Sequence, residues 1–284
     1  MVGFLDWLRF SYRFVVALYI NRDRREAFLE KGFDLDLYRM LAYEWMRTFV
    51  APWVMVALGV TSQGADNVPA KGGVLIVSNQ RSVWDQMIIM NEIDRFIYFY
   101  SGSRSTISPV FRTIYRMAEI MNPVGGQTRG SEFTEEVVGI LKGGNAVCVF
   151  PEGIESLMRP DASEEVTYFR TGFALMAIEA GVPIVPVAII TTGKFPSFLP
   201  ANVAKAISTG RARRLSRIVP QSKVLMRVGK PIDLSGFMDK PLSRKDVEAI
   251  AGKVRKIIIK LYSGEDLDRF LTGEKPFDIY TDRI

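Results

Sequence analysis

A polar segment in the first third of the chain carries residue types that could perform acid–base chemistry. The segment SNQRSVWD, residues 78–85, directly follows the apolar run at 74–77 and ends in the carboxylate of Asp85. Open α/β sheets place their ligand sites outside the carboxyl ends of their strands, so this position makes the segment a candidate site. The chain contains no histidine, which excludes His-ligated zinc, Ser-His-Asp triads and imidazole acid–base catalysis by this chain alone.

The same segment resembles the first motif of the glycerol-3-phosphate and lysophosphatidate acyltransferase family, a His-x4-Asp arrangement often written NHxSxxD. Gln80 stands at the histidine position, and four residues fit the pattern: Asn79, Arg81, Ser82 and Asp85. The resemblance implies that the family's imidazole takes the proton from an acceptor hydroxyl as that hydroxyl attacks an acyl thioester. The aspartate orients the imidazole. A glutamine amide has no usable basicity near neutral pH, and loss of a positioned general base typically costs about 10²- to 10⁴-fold in rate.

A second segment, VFPEGIES at residues 149–156, is similar to the family's FPEGTRS motif, which follows a strand and helps to hold the acceptor. The residues that agree are Phe150, Pro151, Glu152, Gly153 and Ser156. Ile154 and Glu155 replace the family's Thr and Arg, so an anion stands where a cation could face a phosphate. The resemblance therefore implies an acceptor pocket that is less suited to a phosphate monoester.

Three further stretches extend the resemblance over about residues 60–262. In NPVGGQTRGS, residues 122–131, Arg129 is the candidate for the family's phosphate-binding arginine, and a solvated loop arginine is the alternative. Residues 169–189 follow the family's helix, turn and strand that carry a Val-Pro-x-x-Pro-Val motif, and residues 227–234 resemble its strand that ends in Gly-x-Pro-Ile.

The elements that would position these segments alternate along the chain. Short apolar runs typical of strands lie at 74–77, 96–100, 146–150, 183–190 and 223–228, and helical spacing is found at 107–120, 132–142, 168–180 and 243–261. Such alternation predicts an α/β sheet covered by helices. The resemblance implies the mixed β-sheet flanked by helices of the glycerolipid acyltransferases.

The first 60 residues are unusually apolar. Residues 4–20 place aromatic and aliphatic side chains on most of a helix surface, and residues 35–60 form a second apolar segment without charges from Thr48 to Val60. Neither segment supplies the roughly 20 uncharged residues of a bilayer crossing. Tryptophans near arginines suit the headgroup layer, and such residues are present at Trp7, Trp45 and Trp53. The sequence predicts two interfacial, membrane-associating helices, with a pair of ordinary core helices as the alternative.

The net charge narrows the set of candidate partners, and the cysteine content narrows the set of candidate compartments. The net charge of +6 favours anionic partners. The basic run at 211–217 is interpreted as a solvated loop or as a contact for anionic headgroups or an acidic acyl carrier, and without an accompanying motif it does not predict nucleic-acid binding. Cys148 is the only cysteine, so no intramolecular disulfide can form, the thiol is expected to be buried and structural, and a reducing compartment is compatible.

These observations predict three regions: N-terminal interfacial helices at 1–60, an acyltransferase-like α/β domain at 61–262, and a C-terminal tail at 263–284 that docks on a partner or is partly disordered. We expect a peripheral or monotopic membrane protein on the side facing a reducing compartment, which binds membrane lipids, a lysophospholipid or another lipid, and has a membrane protein complex as a further candidate partner. No metal or cofactor is expected.

Two functions remain open at this point. One is an acyltransferase-like protein of low or no turnover that is kept as a lipid-binding or docking module. The alternative is an active acyltransferase that moves a fatty acyl group from acyl-CoA or acyl carrier protein to a lysophospholipid-type hydroxyl by means of a non-histidine base.

Overall fold

The computed structural model describes residues 35–82, 84–99, 131–153, 166–191, 223–237, 242–273 and 276–280, together with residues 8, 11, 12 and 16. Several predicted features lie outside the described residues: the helix at 107–120, Arg129, Ser156, the basic run at 211–217 and most of the helix at 4–20.

The described helices and strands follow the apolar runs of the sequence. The helices are α1 (Leu35–Trp45), α2 (Ala51–Leu58), α3 (Asp85–Glu92), α4 (Ser131–Lys142), α5 (Gly172–Ala180), α6 (Arg244–Ser263) and α7 (Leu267–Phe270). The strands are β1 (Thr61–Gln63), β2 (Val74–Ser78), β3 (Ile97–Phe99), β4 (Ala146–Val149), β5 (Ile184–Thr191), β6 (Val224–Val228), β7 (Ile232–Asp233) and β8 (Phe277–Asp278). All five strands predicted from the sequence are confirmed.

The strands described here form one mixed sheet. Its main order is β1-β6-β5-β2-β4-β3, and β7 joins β5 to β8. β2 is parallel to both of its neighbours, β4 and β5, whereas β6 and β7 run antiparallel to β5. β2, β4 and most of β5 are fully buried, as expected for parallel strands that are covered on both faces. The prediction of a mixed sheet flanked by helices is therefore confirmed.

Alternate residues of each central strand pack into two separate layers of the hydrophobic core, one on each face of the sheet. On one face, Ile76 and Cys148 pack with α3 and the residues of α1 and α2. On the other face, Leu75 and Val147 pack with α4, α5 and α6. The period of two along the strands assigns successive side chains to opposite faces, which places the N-terminal helices on one side of the sheet and the C-terminal helix on the other.

The segment that precedes the sheet is helical from residue 35 to 58, with a π-helical turn at Met46–Val50 between α1 and α2. One face is buried in the core through residues that include Ala42, Tyr43 and Met46. The phenol of Tyr43 also donates to the carbonyl of Arg95 at 3.0 Å. Within the described residues, no helix has both the length and the apolar character that a bilayer crossing requires.

The helix predicted at 168–180 begins later than expected, at Gly172. The backbone N–H of Arg170 donates to the carbonyl of Pro151 at 3.0 Å, so residues 166–170, which belong to neither a helix nor a strand, lie beside the turn that follows β4. This long-range bond overrides the local helical pattern and delays the helix.

Residues of the predicted tail pack on the sheet. Phe270, Phe277 and Ile279 are buried in the same core layer as α6, and β8 pairs with β7. The backbone N–H of Lys230 donates to the carbonyl of Phe270 at 2.7 Å. This segment therefore contributes to the core, while the division of the chain into three regions stays a prediction.

We predict that Phe270→Ala lowers the free energy of unfolding by about 3–5 kcal/mol, the usual cost of removing a buried phenyl ring. The ring is 1% exposed and lies 5.4 Å from that of Phe277. Urea unfolding followed by circular dichroism measures the effect. Phe49→Ala is the matched control, because that side chain is 53% exposed, and its cost should be less than half as large. Equal costs for the two variants would contradict the docking of this segment.

Candidate functional site

Parallel pairing brings the two polar segments to one edge of the sheet. Val77 of β2 pairs with Val149 of β4, and Ser78 pairs with Val187 of β5. Because these three strands run in the same direction, the loops that begin at residues 79 and 150 leave the sheet side by side. This is the edge at which open α/β sheets form their sites.

Asn79 continues the ladder of the sheet through its side chain. Its amide nitrogen Nδ2 donates to the carbonyl of Ile189 at 2.9 Å, and its Oδ1 accepts the backbone N–H of Ile189 at 2.7 Å. The residue is fully buried. The donor and the acceptor of the amide are thus both used within the fold, and they fix the start of the loop against β5.

Asp85 closes the loop on itself. Its Oδ2 accepts the backbone N–H groups of Arg81 at 2.5 Å and Ser82 at 2.9 Å, and its Oδ1 accepts the hydroxyl of Ser82 at 2.6 Å. Asp85 is 1% exposed and is the first residue of α3, where the helix dipole favours a negative charge. The carboxylate therefore stabilises the loop without help from the side chain at position 80.

Glu152 joins this loop to two other segments. Its Oε1 accepts the backbone N–H of Gln80 at 3.2 Å. Its Oε2 accepts both the hydroxyl of Thr167 at 2.6 Å and the backbone N–H of Thr167 at 3.3 Å. The residue is buried, and a buried carboxylate requires such donors.

The turn that carries Glu152 depends on a glycine. The backbone N–H of Gly153 donates to the carbonyl of Phe150 at 3.0 Å, and Gly153 has a φ of 71°. This left-handed conformation is favoured by glycine. Phe150 and Pro151 are buried, whereas Gln80, Arg81 and Gly153 are half-buried, so both loops contribute to the partly accessible part of the described site.

Sequence reasoning missed three residues that contact these loops: Thr167, Arg255 and Tyr262. Thr167 lies just before the Phe-Arg-Thr-Gly stretch that carried the resemblance, and this proximity was the only signal for it. The guanidinium of Arg255 donates to the carbonyls of Val166 and Thr167, both at 2.6 Å. The guanidinium of Arg81 lies 4.9 Å from the centre of the Tyr262 ring. Arg255 and Tyr262 are on α6, far from either motif in sequence.

Cys148 is not placed to act as a nucleophile. It is fully buried in β4, and burial, with a smaller effect of the nearby Asp85 charge, raises the pKa of its thiol well above the usual range. The thiol therefore stays protonated at neutral pH. Among the described residues, no group of three or more His, Cys, Asp or Glu side chains is arranged to hold a metal ion.

Residues 59–190 match the family model described as Acyltransferase. This match includes both of the loops that meet at Glu152. The chain is therefore similar to the Acyltransferase family over these residues, which make up slightly less than half of its length. The resemblance to the glycerol-3-phosphate and lysophosphatidate acyltransferases is confirmed.

Two further comparisons find known proteins that the chain resembles. The chain is similar to a probable 1-acyl-sn-glycerol-3-phosphate acyltransferase of Mycoplasma pneumoniae, with 27% identity over 130 residues that make up 44% of this chain and 47% of that protein. The match thus spans about half the length of that relative. The fold is similar to the crystal structure of the 1-acyl-sn-glycerophosphate (LPA) acyltransferase PlsC from Thermotoga maritima, with a TM-score of 0.52 and 18% identity over 89% of this chain and 95% of that chain.

Burial changes the acidity of Asp85, the aspartate of the loop after β2. Removal from water raises the pKa of Asp85 to about 6, although hydrogen bonds from Ser82 and Arg81 and the charge of Arg81 oppose the rise. A carboxyl group with such a pKa binds its proton more tightly in the folded protein than in the unfolded chain.

We predict that the raised pKa of Asp85 makes the folded protein less stable as the pH rises. Because the pKa is raised from 3.8 to about 6, the free energy of unfolding should fall as the pH rises from about 4 through about 6, by on the order of 3 kcal/mol relative to Asp85→Asn. Urea unfolding of both proteins at a series of pH values measures this difference. The chain has no histidine, so no imidazole titrates in the same window. An equal pH dependence in both proteins would contradict the raised pKa.

Proposed function

We propose that this protein is a glycerolipid acyltransferase-like protein at a membrane surface that has low or no acyl-transfer turnover. In this proposal it is retained as a lipid-binding module, or as a docking module within a membrane assembly. The similarity to the Acyltransferase family and the fold support the lipid class of the ligand. The finer assignment depends on the loops around Glu152.

The observation that carries this proposal is that, among the described residues where the two motif loops meet, no side chain is a free base. Gln80 supplies an amide side chain, and its hydrogen bond to Glu152 comes from its backbone N–H. The oxygens of Asp85 and Glu152 already accept hydrogen bonds from neighbouring groups. A general base must reach the proton that it removes, and each of these carboxylates would have to give up bonds that hold the loops in order to do so.

One observation favours the alternative of an active enzyme with a non-histidine base. The raised pKa of Asp85, about 6, is closer to neutrality than that of an ordinary carboxyl group, and general bases work best when their pKa is near the working pH. Asp85 is 1% exposed, however, and an acceptor hydroxyl would have to replace one of its bonds within the loop. We therefore favour the module of low turnover.

The proposed ligand is a lysophospholipid-type lipid, with acyl-CoA or acyl carrier protein as the donor if transfer takes place. The names of the two similar proteins support this class, since both are described as acyltransferases of 1-acyl-glycerophosphates. We assign the ligand to the edge formed by Gln80, Arg81 and the turn at Phe150–Gly153. Asn79 and Ser82 would contribute by fixing the loop. Glu155 argues against a phosphate monoester as the preferred headgroup.

The proposal that the N-terminal region lies on a membrane is supported by an exposed apolar surface on the π-helical turn and α2. Phe49, Trp53 and Val56 are 53%, 78% and 81% exposed, respectively. Their spacing of four and three residues places them on one helix face, and the other face packs on the core. Large apolar side chains that stay in water favour insertion at a lipid surface. α2 also packs against α3, the helix that begins at Asp85, which links this surface to the loop after β2.

We predict that the purified protein transfers no acyl group above the background of an Asp85→Ala variant. The substrates are a lysophosphatidate and a set of lysophospholipids, each with acyl-CoA or acyl carrier protein as the donor.

Gln80→His should raise the transfer rate by about 10²-fold or more over wild type, because a positioned imidazole supplies the missing base. Turnover of the wild-type protein well above that of Asp85→Ala would overturn the proposal and establish the alternative. Absence of bound lipid and of a stable partner in detergent extracts would count against the docking module.

We predict that Trp53→Ala weakens binding to phosphatidylcholine vesicles that contain phosphatidylglycerol by about tenfold or more, since burial of a large apolar side chain contributes about 1.5–3 kcal/mol. Vesicle co-sedimentation measures the binding. Tyr280→Ala is the control, because Tyr280 is an aromatic residue that is 51% exposed on the C-terminal segment, and it should bind like wild type. Equal binding by Trp53→Ala and wild type would contradict the proposal that α2 contacts the membrane.

A further inference from the structure

One face of the last long helix reaches both loops of the site. Arg255 and Tyr262 lie on α6 at positions i and i+7, which share a helix face. The helix itself is fixed in the core, because Val254, Ile258 and Leu261 are buried in the layer beneath the sheet. α6 lies outside residues 59–190, which match the family model, so neither motif assigns these two side chains a role.

Arg255 holds the segment that supports Glu152. Its Nε donates to the carbonyl of Thr167 and its Nη2 to the carbonyl of Val166, both at 2.6 Å. Two donors from one planar guanidinium fix both the position and the orientation of the segment. Thr167 then donates to Oε2 of Glu152, and Oε1 of Glu152 accepts the N–H of Gln80. Three successive links thus connect α6 to the loop after β2.

Tyr262 contacts the same loop directly. The guanidinium of Arg81 lies over the Tyr262 ring at 4.9 Å from its centre, in the range of a cation–π interaction. The backbone N–H of Arg81 donates to Asp85 at 2.5 Å. Position 81 is therefore held by its backbone within the loop and by its side chain on α6.

We propose that Arg255 and Tyr262 are positioning residues of the lipid site, through which α6 holds the loop at 78–85 and the Glu152 turn in register with each other. Neither residue needs to touch the ligand. Arg255 acts through Thr167 and Glu152, and Tyr262 acts through Arg81. The assignment of a lipid ligand to this edge rests on the proposed function, whereas the mechanical link between α6 and the loop does not.

The chemistry of the two contacts selects the variants. Arg255→Met keeps most of the apolar stem but removes both donors, and Arg255→Lys keeps the charge but cannot form two parallel bonds from one plane. Tyr262→Leu removes the ring, and Tyr262→Phe keeps the ring face on which Arg81 lies. Lys256→Met is the matched control for Arg255→Met, because Lys256 is the next residue of α6 and is exposed.

The first measurement is amide hydrogen exchange of the full-length variants, read from peptides that cover residues 78–85. Arg255→Met, Arg255→Lys and Tyr262→Leu should each speed exchange there by at least about fivefold, because exchange reports local opening of the loop. Tyr262→Phe and Lys256→Met should match wild type. If Arg255→Met fails to fold, Arg255→Lys and Tyr262→Leu still test the link. Unchanged exchange at 78–85 in variants that fold would overturn the proposal.

The second measurement is the Kd for 1-oleoyl-lysophosphatidylcholine and, separately, for 1-oleoyl-lysophosphatidate by isothermal titration below micelle concentration. Arg255→Lys and Tyr262→Leu should weaken the tighter of the two by about tenfold, with Tyr262→Phe unchanged. Faster exchange with unchanged Kd would overturn the positioning role. If the wild-type protein binds neither lipid, the proposed function fails, and the exchange result alone then decides whether α6 holds the loop.

Discussion

The carboxylate of Glu152 holds together the parts of the chain that form the candidate site. It is buried at the ends of two parallel strands, and its oxygens accept hydrogen bonds from Gln80 on one side and from Thr167 on the other. A buried carboxylate that loses its donors is strongly destabilised. The loop after β2 and the segment before α5 must therefore lie where Glu152 can reach both, and Arg255 on α6 keeps the second of these in place.

This arrangement explains how a glutamine can stand at position 80 without disturbing the site. Position 80 contributes its backbone N–H to Glu152, and any residue other than proline has that donor. The rest of the loop is closed by Asp85, whose partners are Arg81 and Ser82. The side chain at position 80 is thus available for chemistry or for ligand contact, and the geometry of the loop does not depend on it.

Much of this fold could be predicted from the sequence, because the central strands are continuous apolar runs and the helices have amphipathic spacing. The order of the strands could not, since pairing between distant segments leaves no local pattern, and β7 and β8 are two residues long. The same division applies to the site. The meeting of the loops at 79 and 150 follows from strand direction and from the motif resemblance. Thr167 and Arg255 escaped prediction because their partners are a distant carboxylate and backbone carbonyls, which any segment could supply.

The groups that hold the site together differ from the group that would act as a base, so such a protein can change its function without losing the structure of the site. The groups that fix the loops are Asn79, Asp85, Glu152, Thr167 and Arg255, and their interactions lie within the fold. Replacement of the base removes the step that needs proton transfer but leaves these interactions intact, so the free energy that pre-organises a ligand site is unaffected. In the proposed function, the exposed apolar side chains around Trp53 would bind a lipid surface, and together with the preformed edge of the site they would meet the physical requirements of a binding module without catalysis. The same preformed edge is the physical reason to expect acyl transfer when an imidazole is placed at position 80.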